Sequence, residues 1–300
     1  MKNINYKTPK LIAEIGCNHK GEIEIAKELI KVAKIYSNAD VAKFQKRNNK
    51  ELLTEDQYNA PHPNPINSYG NTYGEHREFL EFNLDQHKDL QNFCNDLDIE
   101  YSTSVWDIIS AKEITSLSPK LIKIPSACNN NYPMLEWLCE NYSGEIHIST
   151  GMTTKNELDE VFKLFFERER NKDLVIYNCT SGYPVPFQDV CLLEITGLIE
   201  KYGDKVKEIG FSGHHLGIAI DVAAYTLGAS YIERHFTLDR TWKGTDHSAS
   251  LEPSGLNKLV RDLHQVKQSL AFKEKAILEI EKVQREKLKY QDRSLTRDII

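Results

Sequence analysis

Lys43 and Lys123 interrupt two apolar runs, Val41-Ala-Lys-Phe44 and Leu121-Ile-Lys-Ile124. An ammonium inside such a run must find an anion, because an unpaired buried charge is strongly unfavourable. Two of them on separate segments can bracket one compact anion. Hydroxyls recur at comparable places: Ser102-Thr-Ser104, Ser126, Ser149-Thr-Gly151, Thr180-Ser181 and Ser212. Charge-assisted donors plus many neutral hydrogen bonds are what a phosphate group requires. Phe211-Ser-Gly-His-His215 and Glu233-Arg-His-Phe236 each close an apolar run with histidine. Imidazoles of His214 and His235 on adjacent strands can meet in one coordination sphere, with Glu14 or water completing it. His215 reads as structural and Cys17 as a buried inert thiol. Asp246, in Lys243-Gly-Thr-Asp-His247, suits either a loop cap or a carboxylate for substrate hydroxyls. The chemistry implied is the grip of a phosphorylated anion beside a divalent cation.

These residues fall at the ends of short β-rich runs: 10–16, 40–45, 99–105, 120–124, 145–150, 173–179, 207–212 and 230–236. Helical patterns lie between them at 22–37, 85–97, 107–116, 132–141, 155–170, 189–202 and 216–227, and a helix pair follows Pro253. Alternating strands and helices predict parallel pairing through right-handed crossovers. About eight such units over roughly 260 residues suit a closed (β/α)8 TIM barrel, with a doubly wound open sheet as the alternative. In a barrel, polar residues gathered at the C-terminal strand ends form the active site. The domain expectation is a barrel over 1–272 and a charged helix and tail over 273–300. Residues 48–74, rich in Asn, Pro, Tyr and Gly, are too long for a silent loop and read as a lid.

The 300 residues carry 38 Lys and Arg against 44 Asp and Glu, a net charge of −6 that gives no global reason to bind nucleic acid or an anionic membrane. An anionic substrate must then be held by a few local cations. No apolar run approaches the ~18 residues of a membrane span, and the N-terminus does not read as a signal peptide. The six cysteines form no C-x-x-C pair and are expected to be reduced thiols of a cytoplasmic protein.

In order along the chain, Ala13-Glu-Ile-Gly-Cys-Asn-His19, Lys43-Phe-Gln45, Lys123-Ile-Pro-Ser126, Asn129-Asn-Asn-Tyr-Pro133, Ser149-Thr-Gly-Met152, Cys179-Thr-Ser-Gly-Tyr-Pro184, Phe211-Ser-Gly-His214 and Glu233-Arg-His-Phe236 resemble the sialic acid synthase (N-acetylneuraminate synthase, NeuB-like) family. The resemblance runs from about residue 10 to 255. It implies a (β/α)8 barrel that condenses phosphoenolpyruvate with an open-chain N-acetylated amino sugar such as N-acetylmannosamine, giving a nine-carbon 2-keto-3-deoxy acid and phosphate. It implies phosphoenolpyruvate contacts from Lys43, Thr103, Lys123, Ser126, Ser149, Ser181 and Ser212. Manganese or magnesium falls to His214 and His235, the sugar to Gln45, Tyr183 and Asp246, and the catalytic carboxylate near the reacting carbons to Glu14. It also implies a homodimer.

The chain departs from the family pattern where Lys-Ile-Gly-Ser-Gly-Glu becomes Lys123-Ile-Pro-Ser-Ala-Cys128, and where Ser-Asp-His becomes Ser212-Gly-His214. Many members of the family continue into an antifreeze-like domain, of which Arg293-Ser-Leu-Thr-Arg297 reads as no more than the beginning. Two rival functions follow from the same residues. One is a class I aldolase in which Lys123 or Lys43 forms a Schiff base. The other is a catalytically weakened barrel that binds a sugar acid.

Overall fold

The computed structural model describes residues 6–290. Eight parallel strands close into a barrel in sequence order, each paired with its neighbours and β8 returning to β1. They are β1 Lys10–Gly16, β2 Val41–Lys46, β3 Glu100–Val105, β4 Leu121–Ile124, β5 Glu145–Ser149, β6 Leu174–Cys179, β7 Glu208–Gly213 and β8 Tyr231–His235. Apolar residues dominate both faces because a barrel strand is covered outside by helices and inside by side chains from the other strands. The lower interior is filled by Ile12, Val41, Leu121, Val175, Tyr177 and Tyr231. The open-sheet alternative is thereby excluded.

The helices are α1 Ile23–Lys31, α2 Asn49–Leu52, α3 Glu55–Asn59, α4 Tyr73–Phe79, α5 Leu84–Asp96, α6 Ile108–Ser116, α7 Tyr132–Asn141, α8 Lys155–Glu167, α9 Glu194–Tyr202, α10 Ala219–Thr226, α11 Pro253–Ser269 and α12 Glu279–Leu288. Two start later than periodicity suggests. Cys191 has φ +50° and Gly217 has φ +78°, and neither fits a right-handed helix, so α9 and α10 begin only past them. The 48–74 insertion is organised: Thr54 caps α3 in a reciprocal capping box and Thr72 caps α4. Tyr69 ties the insertion to the loop after β8, its hydroxyl donating to the Lys243 carbonyl at 2.5 Å.

Contacts divide the chain into compact units at 1–267 and 268–300. The described part of the second holds α12; Arg293-Ser-Leu-Thr-Arg297 and the end of the tail lie outside the described residues. Among the described residues, no helix is long and apolar enough to cross a membrane.

Candidate active site

Strand register builds the site. Glu14 is level with Lys43 on β2 and with His235 on β8, Ser104 with Lys123, and Ser212 with Glu233. Because alternate residues face inward, these polar side chains converge at the C-terminal mouth. They line a cavity of about 350 Å³ together with Gln45, Trp106, Ser126, Ser149, Cys179, Ser181, Tyr183 and His214.

Four buried charges occupy the cavity floor: Glu14, Lys43, Lys123 and Glu233. Lys123 Nζ donates to both carboxylate oxygens of Glu233 at 3.0 and 2.9 Å and lies 3.9 Å above the Tyr177 ring centre. Lys43 pairs with Glu14, stands 3.6 Å from Glu233, and donates to Ser104 Oγ at 2.8 Å. Ser212 Oγ donates to Glu233 at 2.9 Å. Two ammoniums and two carboxyls thus pair with one another in a buried setting, where loss of any one leaves a charge uncompensated.

The two carboxyls titrate apart. Burial raises the Glu14 pKa to about 7; Lys43 opposes this and Glu233 adds to it. Glu233 is buried as deeply, but Lys123 and Lys43 overcome burial and hold it well below the carboxylate range. A pair of carboxyls pushed in opposite directions separates a proton carrier from a fixed anion. Burial works to lower the Lys43 pKa, but Glu14 and Glu233 raise it; for Lys123 burial prevails and the pKa falls.

A stability test follows from Glu14. Its folded pKa lies above the unfolded value near 4.5, so the stability linked to its bound proton is complete below that value and is lost as pH rises through 7. Glu14→Gln carries no such proton. Its melting temperature relative to wild type is therefore expected to be higher at pH 8 than at pH 5. A pH-independent difference in thermal melts refutes the Glu14 assignment.

The hydroxyls form a cradle around Gly151. A Cβ there would stand 2.3 Å from Ser181 Oγ and 2.8 Å from Ser126 Oγ, too close for either to stay. Ser149 lines the same side of the cavity. Overpacking costs about 1–3 kcal/mol, so Gly151→Ala is expected to raise KM for the phosphorylated ligand about 10- to 100-fold. Steady-state kinetics checks this, and an unchanged KM would show that the cradle is not used.

His214 and His235 face each other across the mouth, their ring centres 5.3 Å apart and Tyr183 packed against both. His214 Nδ1 hydrogen-bonds the Thr180 carbonyl at 2.9 Å, which fixes its ring and leaves Nε2 for another partner. Burial disfavours the charged His214, but the Cys179 side chain outweighs it and raises the pKa. Burial lowers the His235 pKa to about 4, keeping it neutral, and its Nδ1 is buried with no hydrogen-bond partner. A neutral His235 with an unsatisfied nitrogen, facing a His214 whose ring the Thr180 carbonyl fixes, fits two ligands of a divalent metal. Among the described residues no group of three or more His, Cys, Asp and Glu could hold an ion, so substrate or water must complete such a sphere.

The sequence-derived residues Glu14, Lys43, Gln45, Lys123, Ser126, Ser149, Ser181, Tyr183, Ser212, His214 and His235 all reach one cavity. Two do not line it. Thr103 stands on the outer face of β3, where its hydroxyl donates to Tyr101 at 2.6 Å. Period-two alternation turns Ser104 inward instead, where it lines the cavity and accepts from Lys43. Asp246 sits outside the lining, with Oδ2 4.0 Å from His235 Nδ1. Sequence reasoning missed Glu233, Trp106 and Cys179 as lining residues. Glu233 had a signal: it lies two residues before His235 and so shares its face.

The substituted positions are peripheral. Cys128 is buried, its thiol donating to the Val105 and Pro125 carbonyls at 3.7 Å each. A Cβ on Gly213 would meet the Phe211 and His215 rings at 2.7 and 2.8 Å, so position 213 points to the barrel exterior and not into the cavity. His215 is structural, its Nε2 3.3 Å from Asp221 and 3.1 Å from Arg234. Cys17 accepts from Arg47 Nη2 at 3.1 Å, and burial pushes its pKa up to about 12.

Comparison with known proteins agrees with this geometry. Residues 29–275 match the model of the NeuB family. The chain is 40% identical to N-acetylneuraminate-9-phosphate synthase of Mus musculus over 283 residues, 93% of this chain and 76% of that one. It is 32% identical to N,N'-diacetyllegionaminic acid synthase of Campylobacter jejuni over 265 residues, 88% of this chain and 78% of that one. The solved N-acetylneuraminic acid (sialic acid) synthetase of Leptospira borgpetersenii superposes with a TM-score of 0.80 at 25% identity, covering 99% of this chain and 96% of that chain.

Proposed function

The chain belongs to the NeuB family, a phosphoenolpyruvate-condensing transferase that acts on amino sugars, and from that premise we propose that its acceptor is open-chain N-acetylmannosamine or a closely related N-acetylated aldose. The products are a nonulosonic 2-keto-3-deoxy acid and inorganic phosphate. The observation that carries the reading is the buried Glu14–Lys43–Glu233–Lys123 cluster beside paired imidazoles and a hydroxyl cradle.

Each residue has a physical task. Lys43 and Lys123 receive the carboxylate and phosphate of phosphoenolpyruvate, while Ser126, Ser149 and Ser181 hydrogen-bond the phosphate oxygens. Glu233 keeps both ammoniums charged and aimed at the mouth before the ligand arrives, so little reorganisation accompanies binding. As C3 of phosphoenolpyruvate bonds to the aldehyde carbon, the aldehyde oxygen gains a proton and C2 becomes cationic. Water then adds to C2, loses a proton, and phosphate departs. Glu14, titrating near neutrality beside these atoms, can both give and take a proton and stabilise positive charge at C2. A divalent metal, manganese or magnesium, held by His214 and His235, would supply Lewis-acid polarisation of the aldehyde carbonyl. Gln45, Tyr183 and Asp246, at or beside the mouth, are assigned to the sugar hydroxyls.

A Schiff base at Lys123 would require the amine to leave Glu233, to which it donates at 3.0 and 2.9 Å. The working form is read as a cytoplasmic homodimer, for which a solution mass of twice the chain is expected. The mouse relative's name puts a phosphate on C9 and the Campylobacter relative's name does not, so the acceptor's terminal carbon distinguishes them. The test is phosphate release from phosphoenolpyruvate with manganese and a panel of aldoses; if no aldose raises it above background, the assignment fails.

A further inference from the structure

His147 of β5 is fully buried in the lower barrel, and no step of the condensation uses it. Its neighbours decide where its protons sit. Glu145 Oε2 lies 3.2 Å from His147 Nε2 and accepts from the Tyr231 hydroxyl at 3.0 Å, with Lys207 3.3 Å from the other oxygen. Burial raises the Glu145 pKa, but His147, Lys207 and Tyr231 outweigh it and bring it down to about 2. An ionised carboxylate only accepts, so Nε2 carries the hydrogen. Burial also outweighs the pull of Glu145 on His147 and lowers its pKa, which leaves the ring neutral and Nδ1 an acceptor. The Tyr177 hydroxyl, 2.8 Å from Nδ1, therefore donates to it. That phenol keeps its proton, because burial and then Glu233 raise its pKa well above the ordinary value.

Both protons of the chain Tyr177–His147–Glu145 thus point away from the cavity. Such a chain polarises in one direction and draws electron density onto the Tyr177 ring. That ring carries Lys123, whose Nζ lies 3.9 Å from its centre. A Cβ on Gly210 of β7 would stand 2.6 Å from Tyr177 Cε1, so the missing side chain is what leaves room for the ring. Lys123 has need of the support. Burial disfavours its charge; Glu233 of β8 favours it but is shared with Lys43 of β2, which opposes it, and Cys179 of β6 adds a smaller attraction. His147, level with Lys123 on β5, is neutral. A desolvated ammonium gains most from an aromatic face. A neutral ring also does not repel an incoming anion, as a third carboxylate would.

We propose that Tyr177, His147 and Glu145 are positioning residues: the Glu145 carboxylate, acting through His147, enriches the Tyr177 ring that holds the charged Lys123 ammonium at the cavity floor. This rests on the reading that Lys123 receives phosphoenolpyruvate. None of the three touches the reacting atoms, and no proton changes owner along the chain. Glu145 acts from the start of β5, where it borders a separate cavity with Lys207.

The test is a double-mutant cycle on the full chain with Glu145→Gln and Tyr177→Phe. Glutamine still accepts from His147 but has no charge, and phenylalanine keeps the ring but cuts the link. Each single variant is expected to raise KM for phosphoenolpyruvate about 5- to 10-fold and to change kcat by less than about twofold. Lys123 then loses its proton more readily, so the alkaline limb of kcat/KM is expected to move to lower pH. In Tyr177→Phe, adding Glu145→Gln is expected to change KM by less than about twofold, because the link is already broken. A purely structural role would lower the melting temperature and leave KM and the limb in place; that result in both single variants overturns the proposal. Effects that multiply in the double variant overturn it too. Calorimetric titration with phosphoenolpyruvate separates this proposal from its premise. Binding by wild type with unchanged affinity in Glu145→Gln removes the positioning role alone, whereas no binding by wild type removes the role of Lys123 and the proposal together.

Discussion

Lys123→Met is expected to lower kcat/KM for phosphoenolpyruvate about 10³-fold and to destabilise the fold by about 3 kcal/mol, because it strips a buried carboxylate of its main counter-ion. Methionine keeps most of the stem volume and gives up only the charged head that sits over the Tyr177 ring, so the loss reports the ammonium and not a cavity. Glu233 would be left with Lys43 at 3.6 Å and the Ser212 hydroxyl, and part of what depresses its pKa would vanish. The double variant Lys123→Met/Glu233→Gln separates the two effects. Removing both charges is expected to restore most of the stability, measured by denaturant unfolding, and none of the turnover. Recovery of turnover along with stability would show that the pair is only structural.

His235→Ala and His214→Ala are each expected to weaken manganese affinity by more than about 100-fold, beyond the 10- to 100-fold typical of outer-sphere changes, and to abolish metal-dependent turnover. The fold is expected to survive His235→Ala in particular, since its Nδ1 has no hydrogen-bond partner to lose. Metal titration monitored by the manganese spin signal gives a readout independent of catalysis. Full manganese affinity in either variant would remove that histidine from the site. Activity lost with affinity retained would assign the imidazole to the sugar or to a proton.

Much of the barrel was readable because its period is simple. All eight strands stand within a residue or two of where apolar runs placed them, and lysines inside such runs stood out as needing an anion. Helix starts were harder. The left-handed φ at Cys191 is a backbone choice that no side-chain pattern announces, and it delays α9. The insertion was legible as functional by its length but not as a set of capped short helices that carry Arg77 to Trp106.

By itself the sequence determined which residue types were available and their order: strand ends bearing lysine, hydroxyl and imidazole, spaced for a barrel. Local period and composition suffice for that, since they depend on neighbours within a few residues. The partner of each charge was decided only in three dimensions. Lys123 and Glu233 lie on strands β4 and β8, on opposite sides of the barrel, and meet only because closure brings inward-facing side chains to one axis. The same closure turned Ser104 inward and Thr103 outward, and gave Glu14 and Glu233, two equally buried carboxyls, opposite proton affinities, because Glu233 faces both lysines and Glu14 only Lys43.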